Sequence, residues 1–398
     1  MTELFDLFIQ EIDADWLMQT TEQLWRIELG QTFRHYHRSA TFAEELLKRE
    51  GLSQVERISF PADGKSMFFE AVMPLGWDSS VGRLEAVNCL NYFKDPVLAD
   101  VARHPFHLIK GSSSTPPGGI VTQLITEGQM YSGADARGKL ILGDPQTPPR
   151  CLLGPMAQFG AIGVVCDFLP SRYVTPDGIH WANGSTAGTH WHVIAEDDRF
   201  IAFAVTPRVG DLLRHVAATN KLMVRAISDG RLFESTIDVV TGVIPGRQKK
   251  EFWLQAHLYE PLPDDNSSGV AATAAIAKTL RRLVAAGKIA PPEFTLRVVL
   301  AMEFYGFAAY ASRLGKDIPR QVIGALNLDG FPHVRDVKRA TVIASPPGAP
   351  FFGDYLFGQM FRQCLAEKRL AVATFDDAGG TATICHCAIV PRAFAPYG

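Results

Sequence analysis

The chain is short of cysteine and short of net charge. Its six cysteines, Cys89, Cys151, Cys166, Cys364, Cys385 and Cys387, are scattered over 398 residues without disulfide-framework spacing. That pattern excludes a small cross-linked secreted scaffold and reads as reduced thiols. Lys and Arg number 39 against 42 Asp and Glu, a formal charge of −3, and this balance offers no electrostatic footprint to nucleic acid or an anionic membrane. Nowhere do about 18 apolar residues run together, so no membrane-spanning helix is expected. The first residues, Met1 to Asp6, carry acid and lack a basic segment ahead of an apolar run; no secretory leader is read, and the cytoplasm is the expected compartment. The Gly- and Ser-rich stretch 111–119 has no Lys placed for a phosphate loop and is read as a surface turn. Oligomeric state has no signature.

What is present exceeds one core. At 398 residues the chain passes the size at which a single hydrophobic core keeps growing. Leu17, Thr21, Leu24 and Glu28 share a helical face, and Phe42, Leu46 and Leu47 mark a second helix that Gly51 stops. Residues 55–60 alternate as a strand. The middle of the chain reads as short strands, 138–143, 159–166, 200–205 and 222–226, with a helix over 210–217, forming a small β-rich lobe. His35, His37 and Arg38 read as a solvated basic face, and residues 179–192, with His190 and His192, as an aromatic surface loop.

The chemistry-bearing residues cluster late. A buried strand over 252–256 delivers His257 at its carboxyl end, and the polar turn that follows, with Glu260, Asp264 and Asp265, places Asp265 at the mouth of an Ala-rich helix beginning near Gly269. Glu303 follows a second apolar run, 296–302, and Asp329 a third, 322–328. In an open α/β sheet, side chains at carboxyl strand ends converge, and His with carboxylates makes a ligand set for a divalent ion.

His257, Asp265-Asn266-x-Ser268-Gly269, Met302-Glu303 with Gly306, and Asn327-Leu328-Asp329 stand in an order and spacing that resemble the M28 family of zinc aminopeptidases. The resemblance implies an α/β/α sandwich with a mixed sheet, and it implies His257 and Asp329 as ligands, Asp265 as the metal-bridging carboxylate and Glu303 as general base. The strands of the middle lobe resemble the protease-associated domain often inserted in that family. The implied organisation is 1–60 as the first part of the catalytic domain, 61–245 as the insert, and 246–398 as the catalytic core. Three departures stand out: Phe304 where the family has a second Glu ligand, Tyr259 where it has an Asp that orients the site, and no clear late His. The survivors surround one metal, so about one zinc per chain is expected.

Glu260, Asp264 and His386 are the candidates for substrate contact or for a substitute ligand, although His386 lies between Cys385 and Cys387 in what reads as a strand with buried thiols. A helix closing the sheet is expected after that strand, so the end at Gly398 reads as a truncation of the domain. The expected activity is exopeptidase-like hydrolysis of peptides or aminoacyl amides. The competing readings are an inactive binding or scaffold protein and aminoacyl transfer or cyclisation on one zinc.

Overall fold

The computed structural model describes residues 2–187 and 191–329, the positions 355 and 359, and the backbone of three further strands, Arg339–Ile343, Ala371–Thr374 and Thr383–Cys385. The chain divides into two compact units. The first comprises Met1–Phe60, Met67–Ala71 and Thr236–Gly398; the second comprises Pro61–Ser66 and Val72–Ser235.

The first unit opens with three helices, α1 (Thr2–Glu11), α2 (Ala14–Glu28) and α3 (Phe33–Arg49). The Asp13 carboxylate starts α2 by accepting from Trp16 N–H at 3.0 Å. Along α3, Phe33, Tyr36, Ala40, Ala43 and Leu47 recur every three or four residues and are buried, and Gly51, at φ +76°, turns the chain out beyond its end. Strands β1 (Ser53–Ala62), β2 (Ser235–Ile244), β3 (Gln248–Leu258), β4 (Phe294–Met302) and β5 (Val322–Asn327) form one sheet in the order β1-β2-β4-β3-β5, with helix α4 (Ser267–Ala285) following β3 and α5 (Tyr305–Ser312) following β4. Strands β3, β4 and β5 are parallel and β2 runs antiparallel to β4. Leu254, Leu296, Leu326 and Leu328 pack under Ala272 and Ile276 of α4. Trp253, which points to the opposite face, stacks on Tyr310 of α5 with ring centroids 5.2 Å apart. Helices therefore cover both faces, as near-continuous apolar parallel strands require.

In the basic cluster expected to be solvated, Arg38 is exposed but His37 is a structural tie. His37 Nδ1 lies 2.9 Å from the Asp238 carboxylate, Ser59 donates to the other oxygen at 2.6 Å, and Tyr36 donates to the Asp238 carbonyl at 2.5 Å. One residue of β2 thus fastens α3 and β1 to the sheet.

The second unit is built on a seven-stranded sheet. Four parallel strands, Ile201–Ala204, Gly163–Cys166, Leu140–Leu142 and Ile120–Thr126, continue into an antiparallel half of Met223–Ser228, Gly82–Ala86 and Val97–Asp100. Helices Pro149–Gln158 and Pro207–Thr219 connect its strands, so the lobe read as β-rich is half α/β. The strand read over 159–166 starts only at Gly163, because Phe159 caps the preceding helix and Gly160 (φ +74°) turns the chain. The stretch read as a surface turn is anchored at its start: Ser112 is fully buried, its Oγ accepts from Ala202 N–H at 3.0 Å, and its carbonyl accepts from Trp77 Nε1 at 2.8 Å. Burial beside Lys110 pushes the His192 imidazole well below its ordinary range, while His190 lies outside the described residues. Asp167 is completely enclosed between Arg172 and Arg214, and Gly210 makes room for it: a Cβ there would come within 2.2 Å of its carboxylate. Among the described residues no helix is long and apolar enough to cross a membrane.

The tie at Asp238 gives a test. Burial alone would raise its carboxyl, but hydrogen bonds from His37 and Ser59 hold it below the ordinary range. A depressed folded value means that the stabilisation is full above the unfolded carboxyl value and is lost as pH falls through the lower folded one. Asp238→Asn should lower unfolding free energy at pH 7 by about 1–3 kcal/mol. In urea titrations the gap to wild type should close at acid pH; a pH-independent gap would remove the ionised carboxylate from the account.

Candidate metal and catalytic site

The three parallel strands end at the same edge of the sheet, β3 and β4 at the paired Leu258 and Met302 and β5 at Asn327, beside Gln255. In register, His257 of β3 stands beside Ala301 of β4, Glu303 comes one residue past β4, and Asp329 two past β5. His257 is 1% exposed, with Nε2 3.2 Å from Asp329 Oδ1 and 3.5 Å from Asp265 Oδ1. Two overlapping groups meet there: potential ligand atoms of His257, Glu303 and Asp329 all lie within 4.8 Å of one another, as do those of His257, Glu260 and Asp265. Asp264 belongs to neither group; its carbonyl accepts from Ser268 Oγ at 3.3 Å. His386 lies outside the described residues.

The turn that carries Glu260 and Asp265 is shaped by its surroundings. Tyr259 takes φ +82°, donates its backbone N–H to Glu28 Oε1 at 2.7 Å, and packs its ring against Phe33 and Tyr36, each 5.2 Å away. Trp25 Nε1 donates to the Pro261 carbonyl at 3.1 Å. The Asp265–Asn266 peptide is cis. Asn266 stands at the N-terminus of α4 without a side-chain cap and instead donates Nδ2 to the Leu328 carbonyl at 2.9 Å, which ties the turn to the strand end bearing Asp329. Asp265 is not a helix cap; its side chain shares a hydrogen bond with Glu260. Phe304 opens α5 at φ 55°, ψ −61°, 38% exposed, and offers no donor atom.

Charge in this pocket is one-sided. Burial would push the His257 imidazole down, but Glu303, Asp329 and Glu260 hold it well above its ordinary value. Burial pushes Glu303 up to about 7, with Asp329 and Asp265 adding to the effect against His257. Burial and the neighbouring Asp265 carry Glu260 well above the usual carboxylate range. Among the described residues no Arg or Lys forms an ion pair with any of the four carboxylates. Nδ1 of His257 is buried without a hydrogen-bond partner, and Nε2 meets the Asp329 and Asp265 carboxylates. A buried imidazole among four carboxyl groups is a donor set that fits a divalent ion of the zinc type.

The sequence pattern placed Glu28 on a helical face without its role of bracing the turn, and gave no role to Gln255, a buried amide two residues before His257. The available signal was polarity: each is a polar side chain at an inward position of an otherwise apolar pattern.

No family model and no curated protein matches the sequence. Solved structures match its fold. A peptidase M28 precursor from Shewanella amazonensis superposes with TM-score 0.67 at 15% identity, covering 98% of this chain and 88% of that one. A zinc aminopeptidase from Bacillus subtilis gives TM-score 0.63 at 16% identity, covering 96% and 83%. An aminopeptidase from Aneurinibacillus gives 0.54 at 15%, covering 98% and 93%. The chain has the mixed α/β fold of the M28 peptidases.

Gly269 provides a test of how the site is held. A Cβ there would meet Asn266 Oδ1 at 2.1 Å and the Leu328 carbonyl at 2.3 Å, so Gly269→Ala must push apart the turn bearing Asp265 and the strand end bearing Asp329. The expected cost is about 1–3 kcal/mol in urea unfolding, as for other overpacked sites. Zinc affinity, measured by chelator competition, should fall with it; unaltered affinity would show that the two ligand segments are positioned independently.

Proposed function

We propose that this chain is a zinc-dependent exopeptidase-like hydrolase, an aminopeptidase acting on peptides or aminoacyl amides. The observation that carries this reading is the gathering of Asp265, Asp329, Glu303 and Glu260 in two overlapping groups about the buried His257 imidazole, with no Arg or Lys paired to the carboxylates among the described residues. His257, Asp265 and Asp329 would hold one zinc ion per chain, since Phe304 brings no second ligand from α5. When bound, a divalent ion there supplies Lewis acidity, drawing charge from the scissile carbonyl and the attacking water.

The chain's own residues do the rest. Glu303, at the end of β4, takes a proton from the attacking water and passes it to the leaving amine. Its raised proton affinity suits an acid–base role near neutral pH. Glu260, whose carboxyl lies within 4.8 Å of ligand atoms of His257 and Asp265, is the acidic group we assign to the free ammonium of a substrate. The second unit is read as a protease-associated-like insert without chemistry of its own.

Purified protein should hold close to one zinc per chain by elemental analysis, and Asp265→Ala should empty the site; a content near two would overturn the one-metal reading. Glu303→Gln preserves shape and removes the proton acceptor. Hydrolysis of a free-amine aminoacyl amide should drop by about 100- to 10,000-fold with metal content unchanged. Full activity in this variant would refute the base assignment, and a silent wild type would favour a non-catalytic binding role.

A further inference from the structure

Below the ligands lies a second polar layer. Side chains alternate along a strand, so Trp253, Gln255 and His257 share one face of β3, and Ala325, Asn327 and Asp329 follow the same rule along β5. The parallel register sets Trp253 beside Ala325 and Gln255 beside Asn327. The face therefore rises in three steps: an aromatic floor, a pair of carboxamides, and the candidate ligands. Gln255 is 0% and Asn327 1% exposed, and Gln255 Nε2 and Oε1, Asn327 Oδ1 and His257 Nδ1 have no hydrogen-bond partner among the described residues. Buried polar atoms are almost always paired, so a carboxamide pair in this position calls for a function. The same row on β4 is filled by Val299 and Ala301, as packing alone would dictate.

Of the other neighbours of His257, Glu260 and Glu303 come within 4.8 Å of a ring nitrogen without a hydrogen bond to Nδ1. Asp329 and Asp265 approach Nε2. Tyr259 turns away, with its N–H on Glu28 and its ring against Phe33 and Tyr36. A metal-binding imidazole holds its orientation by donating its second N–H to an acceptor. Residues two apart on a strand are separated by about 6.6 Å, a span that one water bridges.

We propose that Gln255 and Asn327 are positioning residues: the Gln255 carboxamide oxygen, steadied by Asn327, accepts from the Nδ1–H of His257 through an ordered water and keeps the Nε2 lone pair aimed at the carboxylates. This rests on the metal-site reading above and concerns the ring, not the reaction.

The test compares Gln255→Met, which keeps the volume and removes the acceptor, with Gln255→Glu, which keeps an acceptor oxygen. Chelator competition should show zinc affinity about 10- to 100-fold weaker in Gln255→Met, with most of it restored in Gln255→Glu. In ¹⁵N-histidine NMR of zinc-loaded protein, the His257 Nδ1 proton should exchange markedly faster in Gln255→Met than in wild type. Equal affinity and equal exchange in wild type and Gln255→Met would overturn the proposal, as would equal losses in the two variants. If Gln255→Met does not fold, Asn327→Leu replaces it with the same expectation. A wild type that binds no zinc defeats the metal reading separately; the Nδ1 exchange is then compared in the metal-free proteins, where no difference overturns the positioning role.

Discussion

The first unit is organised around an electrostatic problem: four carboxyl groups and one imidazole are gathered at the ends of three parallel strands, with no Arg or Lys paired to them among the described residues. Like charges in a low-dielectric pocket cannot all remain ionised unaided, which is why Glu260, Asp265 and Glu303 all hold protons more tightly than free carboxylates do. A fold tolerates such a concentration where a cation answers it. The three parallel strands bring the charge there, since their carboxyl ends all lie at the same edge of the sheet.

Keeping these groups in place falls to contacts that bind no metal. The turn after β3 is clamped from one side by Glu28 and Trp25 of α2, and from the other by Asn266 on the Leu328 carbonyl. Tyr259 occupies the apolar space between α3 and the turn, so its backbone is held at φ +82° by packing on both sides. Helix α3 is fixed to the sheet through Asp238, which makes the N-terminal segment part of the site's scaffold.

Legibility in the sequence followed the range of the forces involved. The runs 252–256, 296–302 and 322–328 announce strands as apolar stretches, and the acid or imidazole at each end stands out because polarity changes abruptly there. Phe304, an apolar residue amid the motif, was equally plain. The His37–Asp238 pair was not, because a surface-looking histidine and an isolated aspartate in an apolar strand meet only after 201 residues of chain are folded between them. Gln255 was hidden differently: one amide in a buried strand looks like noise until register places Asn327 at its side. In the second unit Gly160 was read as strand, although its φ of +74° makes it a turn.

The interruption of the first unit bears on how the molecule is made. The bond from Tyr259 to Glu28 spans 231 residues, and that from Tyr36 to Asp238 spans 202. During synthesis α2 and α3 emerge long before the strands they pack on, whereas the second unit has most of its chain, Val72–Ser235, in one continuous piece. Contacts between distant segments carry the largest loop-closure cost and form late. Forming the second unit brings residue 60 close to residue 236 and so shortens the loop that the contacts of α2 and α3 with the sheet must close.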